Sequence, residues 1–168
     1  MPTLERVKKY LNYLFLDTTP AGESPTWKRA TKSTDLAIAM NAETETFDFI
    51  ADESPTDEIK NYKPSISQTQ TAYIGDPVYD YIFDLYNKQG IGSDAVTKAM
   101  IVYQQTKTVG SATKNIALQF DALITIDTYD IVAGTITYTI GQRGTPTHGT
   151  ATIAEGVPTF EMEVEVGG

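Results

Sequence analysis

A strict two-residue alternation over residues 116–126 is the feature that most limits how this chain can fold. Successive side chains of a β-strand point to opposite faces, so every second residue shares a face. Leu123 is the only large apolar residue on the polar face of this segment. The pattern predicts a strand that is buried on one side only, which is typical of antiparallel sheets. The opposite face carries Ile116, Leu118, Phe120, Ala122, Ile124 and Ile126.

Similar alternation recurs through the rest of the C-terminal half. A half-buried strand must cover its apolar face with a second layer. The chain is therefore predicted to be mainly β, an antiparallel sandwich or barrel with one flanking α-helix. Further strands are predicted over residues 96–105, 135–140, 151–153 and 160–166, with a polar turn at 127–130 and a loop at 141–149.

The flanking helix is predicted from its capping residues. The carboxylate of Asp76 is suited to accept from free backbone N–H groups of the first turn, and Pro77 fits the first helical position. Gly90 is a typical helix stop. The outer side repeats Asp76, Asp80 and Asp84, which indicates either solvated surface or contact with a basic partner. The inner stripe comprises Val78, Ile82, Leu85 and Tyr86, widened by Tyr79 and Phe83.

The region before the helix combines two strands and a long connection. Leu36, Ile38 and Met40 alternate with small or polar residues, which predicts a half-buried strand from about residue 34. Residues 52–62 form a predicted loop of a length that is often functional. Residues 65–73 are extended but carry polar side chains on both faces, so a dry core is not expected there.

Composition sets limits on function. The 168 residues fit one domain, there is no cysteine for disulfides or thiolate metal sites, and the net charge is −9. Such a charge argues against tight, static binding to nucleic acid. No apolar run approaches the roughly 20 residues that span a bilayer, so no membrane contact is expected. A secretory signal is not predicted either, because the apolar stretch after Lys9 is short and contains Asn12.

The charge is unevenly distributed along the chain. Residues 1–32 carry six basic and three acidic side chains, whereas residues 33–59 carry eight acidic side chains and no basic one. One interpretation is ordinary solvated surface. The other is a pair of complementary poles that orient subunits during association.

No catalytic constellation is recognisable. His148 is the single histidine and lies far from any serine nucleophile motif, and no phosphate-binding glycine loop is present. Asp127 and Asp130 lack the spaced ligand set of a calcium loop. Trp27 is suited to a core or to an interface. No enzyme activity, metal or cofactor is therefore expected.

Several short segments, taken in order, resemble one protein family. They are YLNYL near the start, SPTW at 24–27, TDLAIAMNAETE at 34–45, YKPSIS at 62–67, IGDPVYDYIFDLY at 74–86, IDTYDIVAGTITYTI and GTPTHGTA at 144–151. Together they are similar to the major tail proteins, or tail tube proteins, of long-tailed bacteriophages. The resemblance covers most of the chain.

The resemblance implies a structural virion protein with one tail-tube domain over residues 1–168. Family members form stacked hexameric rings around a channel through which DNA leaves the particle. The implied partners are other copies, the tape-measure, tail-terminator and baseplate proteins, and DNA in transient passage. The implied location is the virion tail, after assembly in the host cytoplasm.

Carried onto this chain, the resemblance implies a channel-side hairpin of residues 34–49 with 65–73 and an extended loop at about 50–64. The implied channel-lining residues are Asp35, Asn41, Glu43, Glu45, Ser67, Thr69 and Thr71. The implied contact between rings uses Asp52, Glu53, Asp57, Glu58 and Tyr62. We expect a basic partner face at Lys28, Arg29 and Lys32.

Two other classes stay open on the residues alone. A ligand-binding β-sandwich, such as a carbohydrate-binding module, would need an exposed aromatic platform. A hydrolase with paired carboxylates would need a cleft holding an acid with a strongly perturbed pKa.

Overall fold

The computed structural model describes residues 3–22 and 24–163. A single α-helix, α1 (Pro77–Lys88), and short 3-10 helices at Lys9–Leu11 and Gly92–Ala95 occur in this described part. The strands are β1 (Tyr13–Asp17), β2 (Trp27–Arg29), β3 (Ala37–Ala39), β4 (Ala42–Phe47), β5 (Thr56–Tyr62), β6 (Ser65–Thr71), β7 (Val96–Val109), β8 (Ala112–Asp130), β9 (Thr135–Ala154) and β10 (Val157–Met162).

One antiparallel sheet contains all the strands except β4 and β5. Its order is β2-β1-β7-β8-β9-β6-β3, and β10 pairs with the second half of β9. The connection after β2 joins the two ends of this sheet. The amide of Ala30 donates to Leu14 O on β1, and Thr34 then donates to Thr69 O on β6, both at 2.9 Å. The sheet therefore curves round into a barrel-like body.

The main core lies between this curved sheet and α1. Val78, Ile82 and Leu85 of the helix are buried against apolar residues of the strands. The sheet contributes Leu14, Leu16, Ile66, Ala99, Ile101, Phe120, Ala122, Ile124, Ile136, Tyr138 and Ile140. The predicted mainly-β antiparallel fold with one flanking helix is confirmed.

A second core cluster covers the opposite face of β1 and β7. Phe15, Met100 and Val102 are buried there, and Phe160 of β10 packs against them. Trp27 is half-buried against the same cluster, so it contributes to packing within the chain.

The ends of the helix agree with the predicted caps, with one change. The Asp76 carboxylate accepts from the amide of Val78 at 3.3 Å, and Pro77 is the first helical residue. The left-handed residue that ends the helix is Gln89 rather than Gly90. Gly90 matters for a different reason, because a Cβ there would lie 2.5 Å from Leu85 Cδ1.

Strands β8 and β9 are longer than the sequence indicates. The predicted turn at 127–130 is the end of β8, and the predicted loop at 141–149 is the middle of β9, so both predictions are wrong. The loop-like composition is absorbed by a register shift in which the partner of β8 passes from Thr147 to Arg143 between Gln119 and Asp121. Pairing with β8 holds this segment extended despite its glycines and proline.

Strand β6 also departs from expectation, because its inner face is polar and dry. Gln68 and Gln70 are about as buried as the apolar residues around them. Gln70 accepts from the Tyr138 hydroxyl at 2.8 Å and donates to the Asp76 carboxylate at 3.1 Å. The burial cost of this amide is offset by hydrogen bonds that the sequence does not reveal.

Candidate assembly surfaces

A two-stranded hairpin stands apart from the main sheet. β4 and β5 pair with each other and form a separate sheet. The predicted pairing of residues 34–49 with 65–73 is therefore correct only for its first part, where β3 pairs with β6. The predicted loop at 50–64 is also wrong in part, since β5 occupies about half of it and the connecting turn spans residues 48–55.

The hairpin leaves the body at Asn41, which has a left-handed backbone (φ 49°). Asparagine tolerates this conformation better than most residues. Its side-chain amide donates to Lys63 O at 3.0 Å and to Ser65 Oγ at 2.9 Å, which fixes the hairpin base. Asn41 therefore stabilises the hairpin base, a role that the prediction of a channel-lining residue did not include.

An ion pair also lies at the hairpin base. Lys63 Nζ lies 2.6 Å from a Glu43 carboxylate oxygen. The hydrogen bond and charge of Lys63 lower the pKa of Glu43, although both side chains are largely exposed. Exposed pairs of this kind contribute little to stability by themselves, so the pair orients the hairpin more than it strengthens it.

The hairpin brings together residues that were predicted to act separately. Glu45 of the predicted channel wall lies directly opposite Glu58 of the predicted ring contact, so both side chains share one face. Like charges in this position repel each other. Asp57 lies on the other face, where it accepts from the Thr46 hydroxyl at 2.6 Å.

The turn at the end of the hairpin combines apolar and acidic residues. The rings of Phe47 and Phe49 stack at 5.5 Å, and the next residue, Ile50, is fully exposed. Asp52 and Glu53 follow in the same turn. Tyr62, the remaining predicted contact residue, lies at the other end, beside the body.

The apolar face predicted around β3 is real but uncovered. Leu36, Ile38 and Met40 are 42%, 36% and 50% exposed, so the prediction of a half-buried strand is wrong for the single chain. Among residues 3–22 and 24–163, β3 pairs on one side only, with β6, and its other edge has no partner strand there. Exposed apolar side chains beside an open strand edge are typical of a surface that another chain covers.

A face rich in hydroxyl groups extends across β6, β9 and β8. Ser67 pairs with Thr139, Thr69 with Thr137 and Thr71 with Thr135, and Thr139 pairs on its other side with Thr125. We call Ser65, Ser67, Thr69, Thr71, Thr125, Thr128, Thr135, Thr137 and Thr139 the hydroxyl face. Of these, the sequence prediction included only Ser67, Thr69 and Thr71. The alternation of threonine with apolar residues over 135–140 was the available signal for the others.

The predicted basic residues are not equivalent. Arg29 is engaged within the chain, since its guanidinium lies 4.1 Å from the Tyr13 ring centroid and donates to Tyr10 O at 3.0 Å. Lys32 Nζ lies 5.4 Å from the Tyr73 ring centroid. Lys28 is exposed on β2. Asp35, a predicted channel residue, is half-buried just before β3.

No arrangement suited to catalysis emerges from the described residues. His148 lies on β9 opposite Leu118, and no group of three metal-ligating side chains is found among residues 3–22 and 24–163. Burial and a hydrogen bond between the hydroxyls of Tyr79 and Tyr129 raise the pKa of Tyr79 to about 12. This shift results from packing in the core. The one helix in the described part is too short and polar to cross a membrane.

Comparison with known proteins gives matches in structure alone. No protein-family model and no curated protein matches the sequence. A chain from the tail of an empty GTA particle, with C6 symmetry, superposes with a TM-score of 0.58 at 16% identity, covering 84% of this chain and 97% of that one. The cap that terminates the tube of the anti-feeding prophage superposes with a TM-score of 0.53 at 14% identity, covering 90% and 95%. The chain shares the fold of these tail proteins.

Proposed function

We propose that this chain is a structural protein of a virion tail, which assembles into stacked rings of six copies and forms the tail tube of a long-tailed bacteriophage. The observation that carries the proposal is the hairpin of β4 and β5. A two-stranded hairpin is marginally stable alone in water, and this one exposes Phe49, Ile50 and Ile59. Such an element gains stability when a neighbouring copy covers it.

The shared fold supports the same proposal at a coarser level. The GTA tail has C6 symmetry, and the second similar structure is a tube-terminating cap. For this chain, sixfold rings and a role in the tube itself are part of the proposal. Its partners would be other copies, then tape-measure, tail-terminator and baseplate proteins. Its place would be the virion tail, after assembly in the host cytoplasm.

We assign the channel wall to the hydroxyl face together with the acidic residues Asp35, Glu43 and Glu45. The side chains of the hydroxyl face are neutral and partly or fully exposed. Tight binding of DNA requires basic groups that replace phosphate counterions. A neutral to acidic wall lets DNA pass without holding it, which suits a conduit.

The contact between rings is proposed to involve the acidic end of the hairpin. Asp52, Glu53, Asp57 and Glu58 would face basic residues of an adjacent copy, with Lys28 and Lys32 better placed than Arg29 because Arg29 is already engaged. Two different complementary surfaces on one chain produce head-to-tail stacking.

Charge reversal of the hairpin tests this proposal. We expect the triple variant Glu53→Lys, Asp57→Lys, Glu58→Lys to stay folded, because all three side chains are exposed, and to lose association at protein concentrations where the original chain polymerises. The matched control reverses Asp80 and Asp84 on the outer side of α1. Sedimentation velocity over a concentration series measures both. Unchanged association of the triple variant, with unchanged salt dependence, would contradict the proposed contact.

A further inference from the structure

An apolar cavity of about 590 Å³ opens at the end of the barrel beside the hairpin base. Its floor is the core itself, formed by Ile66, Ile101, Phe120 and Ile140. Its rim includes Met40 and Tyr62 on one side and Thr145 and Pro146 of β9 on the other. We call it the mouth cavity. The floor residues are buried, whereas Met40 and Tyr62 at the rim are about half exposed.

The rim and lining of the mouth cavity carry no carboxylate among the described residues. His148 lies in the lining. Arg143 lies opposite Asp121 of β8, with its side chain on the other face of β9 from Gln142 and Gly144. The charge of Lys63 is balanced by Glu43. Within the described part of the chain, the lining of the cavity is therefore apolar and carries neither a carboxylate nor a lysine or arginine side chain.

The end of the hairpin is apolar as well. We call residues 47–50 the apolar tip, which comprises the stacked rings of Phe47 and Phe49 and the fully exposed Ile50. Asp48, Asp52 and Glu53 surround it, without a basic residue from 48 to 55. An aromatic side chain buries about 150–250 Å² when it is enclosed, so a tip with two such rings gains much from a cavity.

The tip of one chain cannot reach its own mouth cavity. Tyr62, at the hairpin base, is part of the rim, and the tip lies at the far end of β4. The six residues of β4 span roughly 20 Å at about 3.3 Å per residue. Only a second chain can bring a tip to the cavity.

We infer that the apolar tip of one copy inserts into the mouth cavity of a second copy. This inference rests on the proposed self-assembly and names the surfaces that meet. The contact joins two different surfaces, so every copy offers one tip and one cavity, and the contact repeats instead of closing on a pair. Insertion covers Phe49, Ile50 and Met40 together and seals the open end of the core.

Paired variants test the contact. Ile50→Asp damages the tip, and Met40→Asp damages the cavity rim; both side chains are exposed, so each variant should fold. We expect each variant alone to lose extended polymers in sedimentation velocity. In an equal mixture, the Met40→Asp variant still supplies an intact tip and the Ile50→Asp variant an intact cavity. The mixture should therefore recover association between the two variants, but only in pairs and not in extended polymers. Val132→Asp, at a fully exposed apolar residue in the turn between β8 and β9, is the matched control and should polymerise normally.

Cross-linking locates the contact directly, since the chain has no native cysteine. Ile50→Cys and Thr145→Cys copies, mixed and oxidised, should give at least tenfold more linked dimer than Val132→Cys mixed with Thr145→Cys. Equal yields, or a mixture of Ile50→Asp and Met40→Asp that stays unassociated while the original chain forms tubes, would overturn the inference and leave the proposed function standing. An original chain that never associates would overturn both.

Discussion

Three polar side chains connect the inside of the barrel to the start of the helix. The Tyr138 hydroxyl donates to Gln70, and Gln70 donates to Asp76, which also caps α1. Tyr138 and Gln70 are fully buried. Satisfied networks of this kind fix one arrangement of a core, and they become costly when one member is lost.

Tyr138→Phe should therefore destabilise the fold by about 1–3 kcal/mol, because it leaves Gln70 Oε1 buried without a donor. Urea unfolding followed by circular dichroism measures the change. Tyr86→Phe, at a half-exposed position on α1, is the control and should stay within about 0.5 kcal/mol. Equal stability of both variants would show that the Tyr138 hydrogen bond contributes nothing.

The buried tyrosines also predict how stability depends on pH. Burial raises the pKa of Tyr79 to about 12 and raises that of Tyr138 as well. An unfolded tyrosine ionises near pH 10 (roughly). Since the folded pKa values are higher, this stabilising contribution is complete below pH 10 and is lost as the pH rises from about 10 towards 12.

An alkaline titration followed by tyrosinate absorbance and circular dichroism checks this dependence. We expect the exposed tyrosines to ionise first and the last ones to ionise together with unfolding. Ionisation of all ten tyrosines near pH 10 (roughly) with the fold intact would contradict it.

At the scale of the elements, β10 is held close to β9 by a glycine. A Cβ at Gly149 would lie 2.1 Å from the carbonyl oxygen of Glu161, which is backbone and cannot move aside easily. Gly149→Ala should displace β10, destabilise the fold by about 1–3 kcal/mol and speed hydrogen exchange in residues 157–162. At Gly141 a Cβ would make only an ordinary contact at 3.7 Å with Leu123 O, so Gly141→Ala is the control. Equal exchange in the two variants would be evidence against this role of Gly149.

Local signals predicted the elements well, and long-range pairing explains the failures. The Asp76 cap and Pro77 specify the helix within a few residues. β5 was missed because both of its faces are exposed, so its sequence has no reason to alternate between apolar and polar. Burial of Gln70 was missed because the Tyr138 hydroxyl that donates to it is distant in sequence. Burial of Gln68 follows from the pairing of β6 with β9, which also lies far along the chain.

The same limit applies to the candidate assembly residues. The resemblance predicted a hairpin with an acidic end, but not that Glu45 and Glu58 face each other across it. The resemblance also did not predict that Asn41 forms hydrogen bonds at the hairpin base. The alternation over 135–140 puts the threonines of β9 on one face, but their place beside β6 follows from strand register, which a single sequence does not contain.

At the scale of the whole molecule, three features are exposed in the single chain and suited to contact with another copy. They are the hairpin, the uncovered apolar face beside β3, and the open edge of that strand. A stable single chain usually avoids an exposed strand edge flanked by apolar side chains. Stacked rings would use all three, with the hydroxyl face turned to the channel and α1 outside.

Cryo-electron microscopy of the concentrated purified protein tests this arrangement most directly. We expect rings or tubes of constant diameter with sixfold symmetry, the hydroxyl face lining the channel and the hairpin reaching the next ring. Monomers that persist at high concentration, or tubes with the hydroxyl face turned outward, would contradict it.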